Sequence, residues 1–172
     1  MKLLALPGRK PSTFKQMQDL TDRLRLGQDV VTLRPYGFWS HEDIANPDVR
    51  PEAEAVAAIG ADLVIAKSIG TLVAMIARRD YGLAPRAAVF IATPLKRFEA
   101  QGLVPLLSAH LAEVPTLLIQ QTADYNGSHD DLAAVVMGHE QATIREIPGD
   151  DHLYEETELI APLIERWWSE RL

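Results

Sequence analysis

Ala61-Asp62-Leu63-Val64-Ile65-Ala66-Lys67-Ser68-Ile69-Gly70 runs an apolar, strand-like stretch straight into an apolar helical pattern, with a serine at the junction. A serine at so tight a strand-to-helix turn occupies strained backbone, and its neighbours two before and two after must be small for the chain to reverse without clashes. Ala66 and Gly70 fill those two places. The pentapeptide thus reads A-x-S-x-G, one residue away from the G-x-S-x-G of a nucleophile elbow. The competing local role for Ser68 is a helix N-cap, a common task for serine where a helix begins.

The same alternation extends outward in both directions. Residues 3–6, 30–33, 63–66, 87–92, 116–119 and 143–147 read as strands, and residues 12–26, 51–59, 69–81, 103–112, 130–137 and 154–170 as helices. Strands alternating with helices predict a parallel sheet. The strand runs are nearly continuous in apolar residues, which predicts helices on both faces. The expected fold is therefore α/β, a three-layer, doubly wound sheet of about six parallel strands in a single domain spanning residues 1–172. In the last helix Leu159, Ile160, Leu163, Ile164, Trp167 and Trp168 recur at three- and four-residue spacing, a stripe that packs on the sheet. Residues 35–50 form the one long stretch without a pattern, a length that suits a functional loop.

At 172 residues the chain is long enough to bury roughly 70% of the surface its unfolded form exposes, so it needs no staple. It contains no cysteine, which excludes disulfides, a thiolate nucleophile and Cys-ligated metal. Met1 to Leu6 imitate the start of a signal peptide, but Pro7-Gly8-Arg9-Lys10 interrupt the apolar run, and a cytoplasmic location is expected. No run approaches the ~18 apolar residues of a membrane span. A net charge of -7 argues against a phosphate backbone as partner. Neither nucleic acid nor membrane is expected to bind.

Activating a serine takes a base within hydrogen-bond reach and a carboxylate that orients the base. Asp124 follows the apolar run Pro115 to Gln121, and His152 follows Ile144-Arg145-Glu146-Ile147 through Pro148-Gly149-Asp150-Asp151. Both residues thus leave the carboxyl end of a strand, as Ser68 does. A parallel sheet collects such ends on one edge, where open α/β folds bind ligands. The chain order Ser, Asp, His is that of the α/β-hydrolases.

On these motifs the chain resembles a small lidless serine hydrolase of the α/β-hydrolase superfamily over nearly its full length. Leu6-Pro7-Gly8-Arg9 resembles the family's H-G-x turn, Ala66-Lys67-Ser68-Ile69-Gly70 its elbow, Gln121-Thr122-Ala123-Asp124 its acid loop, and Gly149-Asp150-Asp151-His152 its histidine loop. The sequence departs from the family at Pro7, Ala66 and Gln121, and none of these removes a catalytic group. The resemblance implies a minimal core that lacks the first hairpin and, between Thr93 and Pro115, has too few residues for a lid domain. It further implies a Ser68 nucleophile, a His152 base, an Asp124 acid, an oxyanion hole from the N–H groups of Ile69 and Arg9, and neither cofactor nor metal. The implied reaction is hydrolysis of a small carboxylic ester or related acyl substrate through an acyl-enzyme. An acyltransferase or thioesterase, or a non-catalytic binding domain of the same fold, are the alternatives.

Several residues near these motifs have two readings. Lys67 precedes the nucleophile, where a cation at the mouth favours an acidic substrate, unless the side chain is solvated or paired at the surface. Tyr36, Phe38 and Trp39 either form an acyl or alcohol pocket or fold back over the helix layer. Asp130 and Asp131 suit the first turn of a helix better than the role of acid. His41, His110, His129 and His139 have no partner motif and read as solvated surface, with His129 alone near a strand end. Gly8 to Thr13 lacks the spacing of a phosphate loop, and Ser12 reads as the cap of the helix that follows.

Overall fold

The computed structural model describes residues 1–41 and 44–171. Six strands, β1 (Lys2–Leu6), β2 (Val30–Leu33), β3 (Leu63–Lys67), β4 (Ala87–Ile91), β5 (Thr116–Gln121) and β6 (Ala142–Ile147), form one open sheet. All neighbours are parallel, in the order β2-β1-β3-β4-β5-β6. From β1 the chain steps outward to β2, then returns across β1 to β3 and proceeds to the other edge. The switch point therefore lies between β1 and β3, where the first loop and the elbow emerge side by side.

Seven α-helices flank the sheet among the described residues: α1 (Ser12–Arg23), α2 (Arg50–Ile59), α3 (Ile69–Tyr81), α4 (Leu95–Ala100), α5 (Val104–Glu113), α6 (His129–Val136) and α7 (Thr157–Ser169). The strands alternate side chains between two cores, which is why both sets are apolar. Leu4, Leu6, Val64, Ala66, Phe90 and Leu118 pack against α2, α3, α5 and α6. Leu3, Ala5, Leu63, Ile65, Val89 and Leu117 pack on the opposite face with Met17 and Leu20 of α1 and Ile160, Ile164 and Trp167 of α7. The edge strands differ: Val30 and Val31 on β2 are 50% and 41% exposed, because an edge strand has one flank uncovered. None of the helices is long and apolar enough to cross a membrane.

Four local expectations change. The last helix begins at Thr157, so Tyr154 lies in the loop before it. The short helix α4 was not foreseen, since six residues are too few for a periodic pattern to register. Ser12 is the first residue of α1 and makes no side-chain cap bond, and Thr13 instead donates to the Lys10 carbonyl at 2.6 Å. His110 is 2% exposed, stacked on Phe90 with ring centroids 4.8 Å apart, and burial pushes its pKa down to about 3. It is a neutral core residue, placed there by spacing with Leu107 and Leu111 on one face of α5. His41 is exposed, His129 and His139 are half-buried, and His129 sits 3.1 Å from Asp130. Asp131 closes a capping box with Ser128 at the start of α6, the first-turn role expected for it.

Candidate active site

Ser68 stands between β3 and α3 with φ 50° and ψ -116°, a conformation that non-glycine residues rarely adopt. Its N–H donates to the Ile91 carbonyl at 2.9 Å and its carbonyl accepts from Thr71, which pins the strained turn from both sides. Ser68 makes no side-chain cap bond to α3, so the N-cap role is not the one its hydroxyl plays. Its Oγ instead lies 3.0 Å from His152 Nε2.

The small residue required at position 70 has a specific cause. A Cβ added to Gly70 would lie 2.6 Å from the Leu6 carbonyl oxygen and 2.7 Å from that of Pro7. Both are backbone atoms, one at the end of β1 and one at the start of the loop after it, so relief requires moving that loop. Gly70→Ala is expected to destabilise the protein by about 1–3 kcal/mol, read by urea unfolding, and to slow reaction at Ser68 because the displaced loop carries Arg9.

Asp124 is buried on the loop after β5, and its carboxylate is held by donors on several sides. His152 Nδ1 lies 2.7 Å from Oδ2 and 2.9 Å from Oδ1, the Asn126 N–H donates to Oδ1 at 2.8 Å, and the Tyr154 hydroxyl donates to Oδ2 at 2.8 Å. The Gln120 amide adds a longer bond of 3.3 Å. A carboxylate only accepts, so His152 carries its proton on Nδ1 and turns the Nε2 lone pair toward Ser68. That tautomer is the one a general base requires.

The histidine loop is built by residues that the sequence alone did not single out. Gln121, standing where the family pattern has glycine, accepts the His152 N–H on Oε1 and donates from Nε2 to Asp151, both at 3.0 Å. Gly149 makes room for it: a Cβ there would sit 2.3 Å from Gln121 Nε2, and its φ of +144° suits only glycine. His152 and Tyr154 themselves adopt φ values of 60° and 56°. Tyr154 is fully buried, accepts the Gln121 N–H at 2.7 Å, and burial raises its pKa far enough to keep the phenol protonated. Tyr154→Phe is expected to lower kcat by about tenfold with little change in KM, and to cost about 1–2 kcal/mol, because it unpartners the Gln121 N–H and removes one donor from Asp124. Steady-state kinetics and thermal unfolding check the two effects.

A cavity of about 170 Å³ opens at Ser68, Ile69 and His152, bordered by Arg9, Lys67 and Arg97 among others. Tyr125 and Leu153, 64% and 48% exposed, give it an apolar rim. Tyr36, Phe38 and Trp39 do not line it, which corrects the pocket reading of these three residues. Tyr36 and Phe38 are buried and stacked at 4.8 Å, and the Tyr36 hydroxyl donates to the Pro7 carbonyl at 2.8 Å. The Trp39 indole N–H donates to the Arg9 carbonyl, also at 2.8 Å. The aromatic group therefore braces the loop after β1 from behind. Lys67 is 3% exposed and borders the cavity, and its side chain makes no ion pair or hydrogen bond to a described residue.

A parallel, doubly wound sheet with an elbow serine, an acid loop and a histidine loop meeting at one edge defines the class, and this chain has the α/β-hydrolase fold. Solved structures bear out the architecture. An enzyme described as degrading N-acyl homoserine lactones superposes with a TM-score of 0.67 at 13% identity, over 96% of this chain and 92% of its own. An α/β-hydrolase from the sediment metagenome of the Mar Chica lagoon, Morocco, reaches 0.65 at 15% identity, over 99% and 91%. The thioesterase RedJ from the prodiginine pathway of Streptomyces coelicolor reaches 0.59 at 18% identity, over 94% and 84%. No family model matches the chain, and no curated protein matches it in sequence.

Proposed function

We propose that the protein is a serine hydrolase of small carboxylic esters or related acyl compounds. The observation that carries this reading is the unbroken relay from Ser68 Oγ to His152 Nε2 at 3.0 Å and from His152 Nδ1 to Asp124 at 2.7 Å, built on a strained elbow beside an open cavity. As Ser68 attacks the carbonyl carbon, His152 takes the hydroxyl proton, and the Asp124 carboxylate stabilises the resulting imidazolium. His152 returns that proton to the leaving alcohol as the tetrahedral adduct collapses to an acyl-enzyme. Water attacks the acyl-enzyme by the same route in reverse.

The developing oxyanion is assigned to two main-chain donors. Ile69 N–H is the first of α3 and so has no acceptor within its helix, and it lies where the helix dipole favours negative charge. Arg9 N–H lies on the neighbouring loop that Trp39 and Tyr36 brace. Preorganised donors of this kind are worth about 3 kcal/mol each in the transition state.

Similar structures include one described as degrading N-acyl homoserine lactones and one described as a thioesterase, so esters, thioesters and lactones belong in one substrate panel. Purified protein is expected to take up a fluorophosphonate at Ser68, located by peptide mass, and to cleave short-chain aryl esters. A non-catalytic binding domain of the same fold requires the opposite: no label at Ser68 and no turnover of any member of the panel.

A further inference from the structure

The whole chain carries a net charge of -7, yet the cavity at Ser68 is bordered by four cationic side chains, Arg9, Lys10, Lys67 and Arg97, and by one carboxylate, that of Glu155. None of the four forms an ion pair with a described residue. Arg9 and Arg97 donate to the same acceptor, the Ala45 carbonyl, at 3.1 and 3.0 Å. Two guanidinium groups thus converge on one oxygen, and Arg97 Nε is buried without a hydrogen-bond partner.

Lys67 is the more telling member. It ends β3 one residue before the nucleophile, in register with Ile91 and on the same strand face as Leu63 and Ile65. A side chain at that place in the alternation lies over the α1/α7 core, and it is 3% exposed while bordering the cavity. A largely buried ammonium without an ion-pair partner is costly, because it gives up much of its hydration and the carboxylates of Glu155, Asp124 and Asp151, beyond ion-pair reach, offset only part of that loss. Such a cost persists where a ligand supplies the missing partner.

We infer that the cavity selects acyl substrates bearing an anionic group, a carboxylate or its equivalent, which pairs with Lys67 while Arg9 and Arg97 supply the surrounding positive field. The inference rests on the hydrolase reading above and extends it to substrate class. Burial lowers the Lys67 pKa to about 8, opposed in part by the charges of Glu155, Asp124 and Asp151. Burial, and then the nearby charge of Arg9, also lower that of Arg97. An arriving anion relieves both penalties.

The test uses matched ester pairs that differ only in charge. One pair is the aryl monoester of glutaric acid and the same compound with its free carboxylate methylated, which puts the charge on the acyl side. The other is 4-acetoxybenzoate and its methyl ester, which puts the charge on the leaving group. At pH 7 the wild type is expected to favour the anionic member of at least one pair by about tenfold or more in kcat/KM. Lys67→Met should lower that ratio by about 10- to 100-fold, and Lys67→Arg should restore most of it. Taking the ratio cancels any effect of the variant on the shared chemistry.

The wild-type ratio should also fall as pH rises from 7 to 9 and Lys67 loses its proton, with Glu155, Asp124, Asp151, His152, Arg9, Lys10 and Arg97 being the other charged or titratable groups around it. Equal rates within both pairs, a ratio that Lys67→Met leaves unchanged, or a ratio flat from pH 7 to 9 would overturn the proposal while leaving the hydrolase reading intact. If no ester is cleaved and Ser68 takes no label, the hydrolase reading fails by itself. Calorimetric titration with glutarate then decides the anion site: binding weakened at least tenfold by Lys67→Met supports it, and no binding to the wild type overturns it.

Discussion

Ser68→Ala is expected to lower kcat for an aryl ester by about 10⁴- to 10⁶-fold with KM within a few fold of wild type. The hydroxyl contacts His152 and makes no cap bond, so its loss removes the nucleophile without removing a support of the fold. The thermal midpoint should therefore stay close to wild type. Residual turnover of about 10³-fold over water should remain, because the main-chain donors of Ile69 and Arg9 are untouched. Adding His152→Ala to Ser68→Ala should change little further, since the two residues act as one unit and their effects do not add. Single-turnover kinetics on the three proteins checks this. A Ser68→Ala variant within tenfold of wild type would assign the hydrolysis to another group.

Asp124→Asn is expected to cost about 10⁴-fold in kcat, nearly as much, although Asp124 never meets the substrate. The carboxylate accepts from His152 Nδ1, Asn126 N–H, Tyr154 and Gln120 together. A carboxamide in that nest has one accepting atom, and those three other donors compete for it. The amide nitrogen is then left facing His152, to which it can only donate. That drives the imidazole proton to Nε2, where it blocks acceptance from Ser68. Nitrogen-15 spectra of the imidazole should show the tautomer exchange, and substrate KM should stay nearly constant. Loss of activity with the Nδ1–H tautomer intact would show that Asp124 acts by charge alone.

The convergence of Ser68, Asp124 and His152 was legible because parallel topology turns chain order into proximity in space. Once the strands ahead of Ser68, Asp124 and His152 read as members of one parallel sheet, their carboxyl ends had to share an edge, and the structure orders β3, β4, β5 and β6 side by side. The supports were not legible. Gln121 looked like a lapse from a glycine pattern, and Tyr154 looked like the start of a helix. Their value lies in contacts across 30 or so residues, Gln121 to His152 and Tyr154 to Asp124, which no local periodicity encodes. His110 was misjudged for another reason, since a polar residue defaults to solvent, a default that also stood as one of the two readings of Lys67. In both cases a signal was present: His110 shares a helical face with Leu107 and Leu111, and Lys67 continues the inward alternation of Leu63 and Ile65.

The amino-acid sequence by itself determined the α/β class, the parallel orientation of the strands and the three residues that converge on one edge, because apolar periodicity and strand-end motifs are local properties. Tertiary structure alone decided that Tyr36, Phe38 and Trp39 brace the loop after β1 from behind, that Gly70 is set by the backbone of that loop, and that Lys67 faces the cavity unpaired. These are packing outcomes between segments distant in the chain, where shape and desolvation choose among positions that hydrophobic pattern leaves equivalent.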